Sequence, residues 1–286
     1  MIYLNGKFLP IEQATIPVLD RGFIFGDGVY ELIPVYSRKP FRLNEHLSRL
    51  QHSLDGIRLP NPHTEKQWTD LVTRIIELNE YDDQYLYLHI TRGVAKRDHT
   101  FPHGITPTVF MMSSPLLTPS EELLRSGASA ITAQDNRWGR CDIKTISLLP
   151  NILLRQLSAD EHAMETILIR DRLLTEGAAS NIFIVKGNQL LTPPKDHRIL
   201  PGTTYDVVLE LAVTHNIPHA IRDISESELH TAEEIMLTSS TKEILPITQL
   251  DRHLVGNGTP GPIFQQLNRH YQAYKQTVMR GHIANQ

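Results

Sequence analysis

Tight reversals alternate with helical periodicity along this chain, and that mixture limits its fold more than any other feature. Ile2, Tyr3 and Leu4 lead into Asn5-Gly6, with Phe8 and Leu9 after it; Asn-Gly suits a type I′ hairpin turn. Lys186-Gly187-Asn188 separates two strand-like runs, 181–185 and 189–191, in the same way. Further strand patterns fall at 29–36, 85–91, 108–112, 130–133, 165–169 and 234–238. Pro34 inside the first of these predicts an edge position or a bulge. Helical spacing brings Leu43, Leu47, Leu50 and Leu54 to one face, with Asn44 as the expected N-cap. Thr64 and Gln67 form a capping box ahead of Trp68, Leu71, Val72, Ile75 and Ile76. Later helices are expected at 151–164, 203–215 and 263–278. Hairpins and helices mixed in both halves predict an α+β fold with mixed sheets, not strict βαβ alternation.

The 286 residues, 40% of them hydrophobic, can build two domains of ordinary size. The stretch from Ser113 to Gly127 is rich in Ser, Pro and Thr around a short Glu-Glu-Leu-Leu-Arg piece. The expected organisation is two mixed domains, 1–115 and 127–286, joined by a linker at 116–126. A formal net charge of −4 argues against a broad grip on nucleic acid. No apolar run reaches the length of a membrane span, and the N-terminus lacks the pattern of a secretory signal. Cys141 is the only cysteine, so no internal disulfide is expected and a reducing, cytoplasmic setting fits. The 14 histidines are scattered without a ligand spacing, so no metal site is expected.

No short signature settles the chemistry: GxSxG and CxxC are both absent. The informative residues stand beside turns and helix starts, and each has an ordinary alternative. Lys144 in Arg140-Cys141-Asp142-Ile143-Lys144 is either a solvated lysine or an amine able to form a Schiff base with an aldehyde cofactor. Glu176 in Thr175-Glu176-Gly177 is either a turn glutamate or a carboxylate set against a ring nitrogen. Thr203 and Thr204, after Leu200-Pro201-Gly202, either cap a helix or bind an anion with hydroxyls and N–H groups, to which Ser240 can add a hydroxyl. Arg49 is a surface arginine or a phosphate clamp. Arg97 and His99 belong to an exposed basic loop or form a carboxylate trap.

Taken in order, these segments resemble the fold-type IV pyridoxal 5'-phosphate enzymes, the family of D-amino-acid and branched-chain aminotransferases. The likeness runs through Asp20-Arg21-Gly22 together with Phe25-Gly26-Asp27-Gly28-Val29-Tyr30-Glu31 as one piece, then Asn44-Glu45-His46-Leu47-Ser48-Arg49-Leu50. It continues through Arg140-Cys141-Asp142-Ile143-Lys144, Thr175-Glu176-Gly177 with Ser180-Asn181, Ile199-Leu200-Pro201-Gly202-Thr203-Thr204 and Thr238-Ser239-Ser240-Thr241-Lys242-Glu243-Ile244. Each piece is weak alone; six in one order are specific. Val29-Tyr30-Glu31 and Arg97-Asp98-His99 are most similar to the D-amino-acid branch.

The resemblance implies transamination of D-amino acids such as D-alanine with a 2-oxo acid such as 2-oxoglutarate. It implies that Lys144 carries the cofactor as a Schiff base and moves the α-proton. Glu176 is then the partner of the pyridine nitrogen, and Leu200 packs on the ring. Arg49, Thr203, Thr204 and Ser240 hold the phosphate. Tyr30, Arg97 and His99 hold the substrate carboxylate, with the Arg97–His99 loop supplied by the second subunit of a homodimer. An R-selective amine transaminase or a branched-chain aminotransferase is the alternative in the same frame. Members of the family often carry serines after the Glu-Gly pair, where this chain has Ala178 and Ala179, so hydroxyl contacts there are not carried over.

Overall fold

The computed structural model describes residues 1–281. They divide into two units, Met1–Leu116 with Ile143–Leu148, and Leu117–Asp142 with the rest of the chain from Leu149.

The first unit holds strands β1 (Ile2–Leu4) and β2 (Lys7–Leu9), helix α1 (Arg21–Phe25), strands β3 (Gly28–Tyr36) and β4 (Lys39–Pro40), helices α2 (Leu43–Gly56) and α3 (Glu65–Glu77), and strands β5 (Gln84–Thr91) and β6 (Thr108–Pro115). The sheet order is β2-β1-β6-β5-β3-β4. Asn5 and Gly6 both take positive φ, as the hairpin turn requires. Alternation along the strands sends Val29, Ile33, Leu86, Leu88, Ile90, Val109 and Met111 into one core with the apolar stripes of α2 and α3. Tyr30, Tyr87, His89 and Phe110, out of phase with that set, are only partly buried. Pro34 pairs in register with Tyr85, so no bulge forms there. On the other side β4 covers only Val35 and Tyr36, which leaves Pro34 at an edge. The capping box of Thr64 and Gln67 is present. Asn44 is not a cap: α2 begins one residue earlier, behind a left-handed Arg42 with φ 52°.

The second unit begins with α4 (Glu121–Ser126) and β7 (Ala128–Gln134), followed by α5 (Leu149–Asp160), β8 (Glu165–Arg170), β9 (Leu173–Gly177), β10 (Asn181–Lys186) and β11 (Gln189–Thr192). Then come α6 (Thr203–Thr214), β12 (His219–Ile221), α7 (Glu226–His230), β13 (Glu234–Ser239), β14 (Glu243–Leu250), β15 (His253–Leu254) and α8 (Pro262–Tyr274), closed by a π-turn at Lys275–Met279. The sheet order is β12-β11-β10-β13-β14-β7-β8-β9, with β15 on β14. It mixes parallel pairs, such as β7 with β8, and antiparallel ones, such as β13 with β14. One core gathers Ile167, Ile169, Ile182, Ile184, Ile235, Leu237, Leu245 and Ile247.

Several elements differ from the sequence reading. Residues 116–126 are not all linker: Ser120 caps α4, and Leu123 and Leu124 pack on the second core. Helix α5 starts at Leu149, with Pro150 in the first turn where its missing N–H costs nothing. It ends at Asp160, and His162 then turns left-handed. Glu176 lies on strand β9, not in a turn. Lys144 groups with the first unit, not with the 127–286 half. Ile143 is buried in the first core, and Gly28 accepts from the Ile146 N–H. Gly28 permits that approach: a Cβ there would lie 2.3 Å from the Ile90 oxygen and 2.9 Å from Ile146.

Candidate active site

In the first unit Lys144 is fixed by its backbone. Its N–H donates to Ser53 Oγ at 3.1 Å. Its carbonyl accepts from the Tyr30 N–H at 3.0 Å. The side chain is thus free of any structural duty in these bonds, and its Nζ stands 4.2 Å from the centre of the Tyr30 ring. Tyr30 in turn lies 5.6 Å from the Tyr87 ring, and the Tyr87 hydroxyl reaches His89 Nδ1 at 2.9 Å. Burial pushes the Tyr87 phenol up to about 12, so it is a neutral hydrogen-bonding group at ordinary pH.

Strand alternation turns Glu31, the neighbour of Tyr30, to the helix side. There its carboxylate takes Nε and Nη2 of Arg49, both at 2.7 Å, and approaches His46 Nδ1 at 2.8 Å. Burial pushes Glu31 up, but the Arg49 guanidinium and His46 more than reverse this, and the carboxyl stays well below its ordinary range. Burial also lowers His46; Glu31 opposes the change, and the charges of Arg49 and Lys144 add to it. Arg49 is therefore a guanidinium aimed by a buried carboxylate. Glu31→Gln should destabilise the protein by about 3–5 kcal/mol in urea denaturation at pH 7, since it strands a buried cation. Because the folded pKa is depressed, this contribution is complete above the ordinary glutamate pKa and is lost as pH falls below about 4. The gap between wild type and variant should close over that window.

In the second unit Glu176 is 4% exposed and its carboxylate is fully engaged. Arg137 Nη1 donates to Oε1 at 2.5 Å. The Leu200 N–H and Asn181 Nδ2 donate to Oε2 at 3.0 and 3.1 Å. Burial pushes the carboxyl up to about 7, against the pull of Arg137 and the Leu200 N–H. Asp135 holds Arg137 through Nε and Nη2, both at 2.9 Å, and also pairs with Arg170 at 3.0 Å.

Asn181 links this carboxylate to the start of α6. Gly202 is the N-cap, and a Cβ on it would fall 2.1 Å from Asn181 Oδ1. Thr203 and Thr204 follow, both buried, in a first turn whose N–H groups lie beyond the helix's own carbonyls. Asn181 also pairs in register with Thr238, two residues before Ser240. The Thr238 hydroxyl is buried without a hydrogen-bond partner among the described residues. An orphan hydroxyl beside a helix N-terminus suits an oxygen-rich anion, and a buried carboxylate nearby suits a protonated heterocycle. The residues present thus fit a phosphorylated pyridine.

The other predicted residues fall as follows. Leu200 supplies its N–H to Glu176 and its carbonyl to Asn181. Arg97 and His99 are exposed, and both rest on the Phe25 ring, at 5.4 Å each. Among the described residues none of their ring contacts goes to Tyr30. Ala178 is buried against Leu154 and Leu168, so its missing hydroxyl is a matter of core packing. Sequence reasoning missed the roles of Glu31 and His46 and missed Arg137, Asp135, Tyr87 and His89 altogether. Tyr87 and His89 carried a usable signal, their two-residue spacing in a strand opposite Tyr30.

A sequence model of the class IV amino-transferases matches residues 28–250. A D-alanine aminotransferase of Bacillus licheniformis is 38% identical over 262 residues, 92% of either chain. One from Staphylococcus aureus strain MSSA476 is 34% identical over 274 residues, covering 96% of this chain and 97% of its own. Among solved structures, the branched-chain amino acid aminotransferase of Escherichia coli superposes with a TM-score of 0.88 at 26% identity, over 95% of this chain and 93% of its own.

Proposed function

This chain belongs to the class IV aminotransferases, of fold type IV, and from that membership we propose that it moves the amino group of D-amino acids such as D-alanine to a 2-oxo acid such as 2-oxoglutarate. Its cofactor is pyridoxal 5'-phosphate. The observation that carries the chemistry is the buried Glu176 carboxylate, held by Arg137, Asn181 and the Leu200 N–H. Kinship with two D-alanine aminotransferases, together with the Arg97-Asp98-His99 loop, supports the D enantiomer.

The bound cofactor supplies an aldehyde that condenses with amines and a cationic ring that draws electrons from the substrate α-carbon. Lys144 would hold the cofactor through its amine, and the same amine would take the proton from the substrate α-carbon as a general base. Glu176 would hold a proton on the ring nitrogen. Leu200 would lie against the ring. Arg49, Thr203, Thr204 and Ser240 hold the phosphate. Tyr30, Arg97 and His99 orient the α-carboxylate so that the hydrogen of the D isomer points at Lys144.

The protein works as a homodimer on this reading, with Arg97 and His99 supplied across the interface. Exposed apolar side chains support that: Val18, Phe23 and Val94 in the first unit, and Leu149, Ile152, Leu153 and Leu157 along α5. No helix among the described residues is long and apolar enough to cross a membrane. A cytoplasmic setting, with Cys141 as a buried free thiol, completes the proposal.

Both enantiomers of alanine, glutamate and leucine, and an R-arylamine, assayed with 2-oxoglutarate, test the substrate assignment. Turnover of D-alanine without turnover of L-leucine or the amine is expected. Preference for L-leucine makes this a branched-chain aminotransferase, and preference for the arylamine makes it an R-selective amine transaminase. In the same assay Arg97→Ala should raise KM for D-alanine about 100-fold, since it removes a charged carboxylate partner. Cofactor retention should hardly change. Equal loss of both would remove Arg97 from the carboxylate site.

A further inference from the structure

The connection that carries Ser240 is short and held from both sides. Ser239 and Glu243 are the last register pair of β13 and β14, so only Ser240, Thr241 and Lys242 lie between them. Glu243, the first residue after the turn, has φ +53°, a left-handed conformation that is unfavourable for a glutamate. What holds it is the end of the last helix. The Glu243 carboxylate, 2% exposed, accepts from Gln272 Nε2 at 2.9 Å and from Lys275 Nζ at 2.5 Å. Lys275 is itself 6% exposed and is the first residue of the π-turn. On the near side the Lys242 N–H donates to Ser239 Oγ at 3.0 Å, and Lys242 Nζ meets the buried Glu165 carboxylate at 3.4 Å. Burying an ion pair adds little net stability over a well-packed apolar pair, because desolvation offsets the attraction. Its distinct contribution here is direction: it fixes a strained backbone residue beside the turn.

We propose that Glu243, clamped by Lys275 and Gln272 of the C-terminal helix, is a positioning residue that sets the β13–β14 turn, and with it Ser240, for the cofactor phosphate. This rests on the reading of Ser240 as a phosphate ligand. The clamp's contacts are to the Glu243 carboxylate, so it acts through the turn between Ser239 and Glu243.

The test compares two probes on apoenzyme prepared from full-length protein: pyridoxal 5'-phosphate and phosphate-free pyridoxal, each titrated by absorbance. Lys275→Met keeps most of the apolar stem of the side chain and removes its charge. It should raise Kd for pyridoxal 5'-phosphate about tenfold and leave Kd for pyridoxal unchanged, with Lys275→Arg restoring much of the loss. Gln272→Ala, a milder lesion that keeps the ion pair, should move the same Kd in the same direction by a smaller factor. The phosphorus resonance of bound cofactor should shift in Lys275→Met. Equal weakening of both probes would mean a general loss of structure and would overturn the proposal, as would an unchanged phosphate-dependent Kd. Ser240→Ala separates the two layers. If it weakens pyridoxal 5'-phosphate while Lys275→Met and Gln272→Ala do not, the clamp alone is refuted. If Ser240→Ala has no effect, the phosphate reading of the turn falls and the clamp with it.

Discussion

Lys144→Ala should lower kcat/KM for D-alanine at least about 1,000-fold, because one substitution removes both the covalent anchor and the proton carrier. The loss should be chemical, not structural. The Ser53 bond is made by the Lys144 N–H and the Tyr30 bond by its carbonyl, so alanine keeps both. Ile143, next in the chain, keeps its place in the first core. The melting temperature should therefore change little, while the visible absorbance band of the aldehyde-bound lysine disappears. Added methylamine should restore a fraction of the turnover, since a free amine can accept the α-proton where the side chain is gone. A variant retaining more than about a tenth of wild-type activity would show that another group is the base.

Glu176→Gln should reduce kcat about 100-fold at pH 8, the scale on which a buried, preorganised charge acts on a developing one. The neutral amide cannot hold a proton on the ring nitrogen. It also places an N–H2 group among donors that expect an acceptor: Arg137 on one oxygen, the Leu200 N–H and Asn181 on the other. The pH profile separates this effect from simple disruption. Burial pushes the Glu176 carboxyl up to about 7, with Arg137 opposing. Raising the pH ionises it and creates the charge that the ring needs, so wild-type activity should rise with pH on the acid side. The bound ring's own positive charge favours the ionised form, so this limb should lie below pH 7 in the holoenzyme. In Glu176→Gln the limb should vanish. A variant that keeps both the rate and the limb would remove Glu176 from the chemistry.

The order of short segments made much of the candidate site legible in the sequence. Lys144, Glu176, Arg49 and the Leu200–Thr204 stretch stand in local patterns, and local patterns are what a sequence displays. The partners that tune them were not legible, because each meets its target from a distance along the chain. Arg137 is 39 residues from Glu176 and Glu31 is 18 from Arg49, separations that only the sheets and helices close. Lys275 and Glu243, 32 apart, are a further case.

The same division holds for the fold. Hairpins with Asn5-Gly6 and Lys186-Gly187-Asn188 were readable because their turn chemistry is local; Asn5, Gly6, Gly187 and Asn188 all have positive φ. Strand β9 was not, since Thr175, Glu176 and Gly177 look like a turn, and only the distant β8, through Leu173, Leu174 and Gly177 around a register irregularity, makes the segment a strand. Asn44 has the chemistry of a cap, yet α2 starts before it because Arg42, not Asn44, takes the non-helical turn. The Ile143–Leu148 segment illustrates the limit of reading domains along a chain. Its place is set by Ile143 in the first core and by bonds to Gly28 and Ser53.

The central claim is that one particular ε-amine carries the cofactor. Borohydride reduction of the holoenzyme, followed by peptide mass mapping, tests it directly. A reduced pyridoxyl phosphate adduct on the peptide containing Lys144, and on no other, is the predicted result. An adduct on a different lysine, or none after full loading, would contradict it.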